Sequence, residues 1–136
     1  PPPPPPPPAA DWRDVPLTPG GWSYRGEGAG SLAAFAEGAA GARFAVRCDR
    51  GARQIRLERD GAAAAAAMIV RTTFDARSLP VRPERGLVVA VLDPRDPLLD
   101  SLAFSRGRFT VEAPGAPMLV IPAWPEPARV IEDCRG

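Results

Sequence analysis

Between Ala42 and Glu58, apolar and polar side chains alternate on either side of an Arg50-Gly51-Ala52 turn. Phe44, Val46 and Cys48 fall on one face, and Arg43, Ala45 and Arg47 on the other. After the turn, Ile55 and Leu57 alternate with Gln54, Arg56 and Glu58. A period of two is strand geometry, and one apolar face opposite one wet face marks an antiparallel hairpin lying on a core. Such a hairpin needs a second layer to cover its apolar side.

The flanking text supplies material for that layer. Trp22 to Arg25, Ser31 to Ala36, Ala66 to Thr73 and Arg108 to Ala113 read as strands, the last returning through Pro114-Gly115 into Met118 to Ile121. Leu87 to Leu92 is apolar on both faces and is expected to lie inside a sheet. Two helices announce themselves by punctuation. Asp96-Pro97 offers an N-cap and a proline at N1, with Leu98, Leu99 and Leu102 as the apolar side and Gly107 as the stop. Pro125-Glu126-Pro127 opens a second helix, in which Pro127, Val130, Ile131 and Cys134 share one face. The expected fold is a small antiparallel β-sandwich or open barrel, with a short helix near 97–105 and a C-terminal helix. Residues 1–10 read as a polyproline spacer, 11–20 as a connector that lays Trp12 on the surface, and 21–136 as a single β-rich domain.

Pro1 to Pro8 have fixed φ and no N–H donors, so they are expected to form a polyproline II rod of roughly 25 Å. It reads as a stand-off between an envelope anchor or signal sequence and the domain, with recognition by an aromatic groove as the alternative. The first residue is proline and no basic-then-apolar leader is present, which reads as a chain whose signal peptide has been removed. Cys48 and Cys134 admit several readings. A metal pair lacks further ligands and a redox pair lacks Cys-x-x-Cys spacing, which leaves a structural disulfide in an oxidising compartment or two buried thiols in the cytosol. The disulfide is the expectation, since both cysteines fall on core-facing sides of their elements.

Charge and composition narrow the chemistry. Seventeen Lys+Arg against sixteen Asp+Glu leave a net charge of +1, which gives nucleic acid no electrostatic footing. Every basic residue is arginine, and histidine is absent. Ser-His and Ser-Lys nucleophile pairs are therefore impossible, and no phosphate loop, dinucleotide fingerprint or calcium loop occurs. No apolar run reaches the ~18–20 residues of a membrane span. Asp93, Asp96 and Asp100 form a carboxylate cluster that reads as a strand end, a helix cap and a solvated helix face. Ser105-Arg106-Gly107-Arg108-Phe109 is the most anion-ready stretch, although Gly107 reads as a helix stop and the arginines as partners of Asp100 or Glu112. Trp22, Tyr24 and Trp124 become a stacking platform only if they are exposed together. The expectation is a non-enzyme with no cofactor and no metal.

An early Trp22-x-Tyr24 strand, a strand ending Val46-Arg47-Cys48, a charged hairpin after it and a final helix ending Asp133-Cys134 resemble small exported β-sandwich proteins of Gram-negative bacteria. The layout is similar to the VasI-type proteins associated with type VI secretion and to invasion-associated locus B proteins. It also resembles uncharacterised exported proteins of sphingomonad-like bacteria, in Phe104 to Phe109 and Arg129 to Cys134. The resemblance spans Trp22 to Cys134. It implies an exported β-sandwich with one disulfide and carries over no catalytic residues; the proline leader lies outside its pattern. The expected role is a periplasmic or envelope module that binds another envelope protein or a membrane-associated complex. The alternative is a binder of small ligands or glycans, or an inhibitor of a wall-degrading enzyme. The contact residues expected for either are Trp22, Tyr24, Arg106, Arg108 and Trp124.

Overall fold

The structure, a computed structural model, describes residues 11–62 and 64–136; the proline rod expected for residues 1–8 lies outside them. Ten strands and two helices follow in order: β1 Gly21–Glu27, β2 Gly30–Ala36, β3 Phe44–Asp49, β4 Gln54–Arg59, β5 Ala67–Arg71, β6 Ala76–Pro80, β7 Arg82–Glu84, β8 Leu87–Leu92, α1 Pro97–Ala103, β9 Arg108–Glu112, β10 Leu119–Pro122 and α2 Pro125–Arg135. The strands form two antiparallel sheets. One has six strands in the order β1-β2-β3-β4-β8-β7, and the other four in the order β10-β9-β5-β6. The domain is mainly β, with an open two-sheet arrangement and a terminal helix, as the alternation predicts.

Strand parity decides which side chains meet. On the large sheet Trp22, Phe35, Phe44, Val46, Ile55, Leu57 and Ala90 point inward; on the small sheet Met68, Val70, Phe109, Val111, Leu119 and Ile121 do. Trp22 sits edge-on to Phe35 and Phe44, with centroids 5.7 and 6.3 Å away, and Phe109 of the facing sheet packs on Phe44 at 5.8 Å. That aromatic group joins the layers; burying one such side chain is worth about 1.5–3 kcal/mol. Where the small sheet stops, α2 takes over, crossing the inner face of β1 to β4 and burying Pro127, Val130 and Ile131. The connector joins the fold at the open side of β10: the Thr18 N–H donates to the Val120 carbonyl, and the Val120 N–H donates to Thr18 Oγ1, both at 2.8 Å.

Three features depart from expectation. The first helix ends at Ala103, not at Gly107. The Phe104 N–H closes the last turn onto the carbonyls of Asp100 and Leu102, while Gly107, at φ +79°, serves the entry to β9. Strands β6 and β7 have no alternating apolar signal and exist through pairing to β5 and β8. Arg59 follows the inward parity of Ile55 and Leu57 and is almost wholly buried. Its guanidinium donates to the carbonyls of Val111, at 2.7 Å, and Pro117. Burial pushes its pKa down, opposed by the nearby Asp60.

Candidate functional site

The tail of α2 gathers several contacts between parts of the chain far apart in sequence. Cys134 is joined to Cys48 by a disulfide with Cα atoms 5.6 Å apart, closing a sequence separation of 86. One residue earlier, the Asp133 carboxylate accepts from the Tyr24 hydroxyl and, at 2.8 Å, from the Ser31 hydroxyl. These two donors, the Tyr24 bond first, hold the Asp133 pKa below the ordinary carboxylate value, with Arg50 and Arg129 adding to the effect. The Arg129 guanidinium lies 3.8 Å from the centre of the Tyr24 ring. Gly30 makes this junction possible, because a Cβ there would stand 1.8 Å from the Cys48 carbonyl oxygen. Among the expected contact residues, Tyr24 is thus a support of the helix end.

The other four are dispersed. Trp22 is buried, with its indole N–H donating to the Pro122 carbonyl at 2.8 Å, so its face is not available for stacking. Trp124 is 45% exposed and borders Gly21. The three aromatics therefore do not form one exposed platform. Arg108 donates to the Val15 carbonyl and pins the connector; it pairs with neither Asp100 nor Glu112, and Asp100 is taken instead by Arg135 at 2.7 and 3.2 Å. The carboxylate cluster is likewise engaged. Asp96 accepts the Leu98 N–H as helix cap and is gripped by both terminal nitrogens of Arg77, at 2.8 and 2.6 Å, which holds its pKa down; Asp93 accepts the Arg95 N–H. Among the described residues no group of three or more His, Cys, Asp or Glu is placed to hold a metal ion, and no helix is long and apolar enough to cross a membrane.

Only Arg106 stands on a surface of another kind. The Thr73 N–H donates to Ser105 Oγ at 3.1 Å and the Arg106 N–H donates to Thr73 Oγ1 at 3.0 Å, which locks the β5–β6 turn against the segment after α1. Thr72 stiffens the turn further, accepting from the N–H groups of Phe74 and Asp75 and donating to the Asp75 carboxylate. The residues flanking the locked pair are Phe74, 57% exposed, and Phe104, 70% exposed. Arg13, Thr73, Phe74 and Arg106 border a shallow concavity of about 460 Å³. Neither phenylalanine stands out in the sequence, since Phe104 falls in the span expected as a helix and Phe74 lies just beyond the strand expected over Ala66 to Thr73.

A third surface is the outer face of the large sheet. Alternating charges run across it: Arg25 pairs with Glu27, Arg47 with Glu27 and Glu58, and Arg56 with Glu58 and Glu84. Beside this ladder Ser23, Ala34, Ala36 and Ala45 floor a groove of about 650 Å³. Its charges are mutually neutralised, so it carries no strong preference for ligand charge. Compared with protein families, curated proteins and solved structures, the chain matches none.

Proposed function

We propose that this domain is an exported, non-enzymatic interaction module, and that it docks through the locked loop pair bearing Phe74, Phe104 and Arg106. The carrying observation is the exposure of two phenylalanines on loops that hydrogen bonds hold in place. A large apolar side chain left in water forgoes about 1.5–3 kcal/mol of burial, which a partner with an apolar cleft recovers. Rigid presentation lowers the ordering entropy of binding, and Arg106 offers a fork for a carboxylate at the rim. The disulfide supports residence in an oxidising compartment such as the periplasm, and the resemblance to VasI-type and related exported proteins points the same way.

The test is site-specific photo-crosslinking from position 74 and position 104 in native envelopes, with a Phe74→Ser/Phe104→Ser variant as comparison in affinity capture. One dominant protein adduct at both positions, lost from capture in the double variant while its melting temperature holds, is the expected result. Capture unchanged in a folded double variant refutes the assignment of this surface.

A further inference from the structure

Four arginines from three separate parts of the chain line one cleft of about 490 Å³ beside the disulfide. Arg50 and Arg53 come from the β3–β4 turn, Arg95 from the turn before α1, and Arg135 from the last turn of α2. Arg135 is held fixed, its Nε donating to the Pro94 carbonyl at 2.6 Å and its terminal nitrogens holding Asp100. Arg50 donates from Nε to the Asp133 carbonyl at 3.1 Å, which orients the group. Among the described residues, the guanidinium groups of Arg53 and Arg95 and the terminal nitrogens of Arg50 have no hydrogen-bond or ion-pair partner. The one acidic side chain in the lining, Asp93, already accepts the Arg95 backbone N–H at 2.8 Å. Elsewhere Arg13, Arg25, Arg43, Arg47, Arg56 and Arg77 each pair with a carboxylate, whereas here Arg50, Arg53 and Arg95, none of them in an ion pair among the described residues, share one concavity.

The backbone adds a second observation. Arg53 has φ +54°, a left-handed conformation that glycine or asparagine adopts more readily. An arginine there costs stability, as at Arg85 in the β7–β8 turn (φ +52°), so replacing Arg53 by glycine removes the side chain without a folding penalty.

We propose that this cleft binds a polyvalent oxyanion, a phosphate monoester or diphosphate, with Arg50, Arg53 and Arg95 as the gripping forks and Arg135 as the fixed wall. Several guanidinium groups brought from different segments suit a tetrahedral group carrying about two negative charges and three acceptor oxygens. The volume falls in the range of small-molecule sites and leaves room for whatever the phosphate is attached to. The site is separate from the loop pair bearing Phe74, and neither assignment depends on the other.

Inorganic pyrophosphate is the probe, titrated into the disulfide-intact protein at about 10 mM ionic strength, where screening is weak. The expected result is saturable binding at or below about 1 mM. Sodium chloride of matched ionic strength raises the melting temperature less. Arg53→Gly and Arg95→Gln each weaken binding about tenfold, as loss of one charge-assisted hydrogen bond requires. Arg53→Gly does so with an unliganded melting temperature equal to or above that of the parent, which separates lost contact from lost folding. Absence of saturable binding, or parental affinity retained in both variants, overturns the proposal. Glycerol phosphate and phosphatidylcholine vesicles with or without phosphatidic acid then assign the source. Binding of glycerol phosphate without vesicle binding indicates a soluble phosphate compound. Vesicle binding that requires phosphatidic acid and is lost in Arg95→Gln indicates a lipid headgroup, and failure of both ligands counts against the site.

Discussion

Replacing both cysteines, Cys48→Ala with Cys134→Ala, tests what the covalent link contributes. The link closes a loop spanning 86 positions in sequence, and chain entropy alone assigns such a closure about 4.5 kcal/mol. Against the roughly 5–15 kcal/mol typical of a domain, that is a large share. The native state should survive the substitution, because the end of α2 keeps its other fastenings: Tyr24 and Ser31 on Asp133, Arg50 on the Asp133 carbonyl, and Arg135 on Asp100. The effect therefore falls on the unfolded chain, which becomes free to expand. Urea unfolding of parent and variant should show a lower midpoint with an m-value equal or slightly larger, and melting should fall by roughly 10–20 °C. Near-ultraviolet circular dichroism of the two folded proteins should superimpose. A loss below about 1 kcal/mol refutes the loop-closure reasoning. A full loss accompanied by rapid amide exchange throughout α2 refutes it differently, by showing that the link holds the native helix in place.

The other predictions concern single contacts. Asp133, Asp96 and Asp100 all have pKa values lowered in the fold, first by Tyr24, Arg77 and Arg135 respectively. Their stabilisation is present above the unfolded carboxylate pKa near 4 and is lost as pH falls through the lower folded values. With no histidine in the chain, unfolding free energy should stay nearly level from about pH 5 to 8 and drop below about pH 4; a marked slope near neutrality would contradict this. Gly30→Ala drives a methyl group into the Cys48 carbonyl and should cost about 1–3 kcal/mol or more in urea unfolding, whereas Gly26→Ala, with open space around it, should cost far less. Arg59→Met keeps much of the buried volume but abandons the carbonyls of Val111 and Pro117. It should cost about 1–3 kcal/mol, and Arg59→Ala about 2–5, so equal losses would show that volume is not what separates them.

How far the fold could be read follows from which signals are local. Alternation in β3 and β4, and the helical spacing of Pro127, Val130, Ile131 and Cys134, each fix a face within a few residues, so the two cysteines could be placed on facing surfaces from the text alone. Strands β6 and β7, with sequences ARSLP and RPE, offer no apolar rhythm; they form because β5 and β8 present backbone groups to pair with, a tertiary cause. At Arg59 two local signals conflict. Parity points the side chain inward and its charge points outward, and parity prevails because two carbonyls are available to receive the guanidinium.

The candidate sites were less readable for a related reason. In a chain whose cations are all arginine, residue type alone cannot separate an arginine that grips a neighbour from one left waiting for a ligand. Arg106-Gly107-Arg108 looks suited to an anion in one dimension, yet Arg108 is spent on the connector carbonyl of Val15. Arg53, Arg95 and Arg135 look ordinary where they stand, and they become a cluster only after the β3–β4 turn, the turn before α1 and the helix end have been brought together beside Cys134. The disulfide that stabilises the domain thus also brings the Arg135 wall of the cleft near Arg50 and Arg53. If both assignments hold, the Cys48→Ala/Cys134→Ala protein should remain folded and bind pyrophosphate as tightly as the parent, since the Pro94 carbonyl and Asp100 keep Arg135 in place. Weaker binding by the folded variant would mean that the link itself, and not Asp100 and Pro94, positions the helix end bearing Arg135.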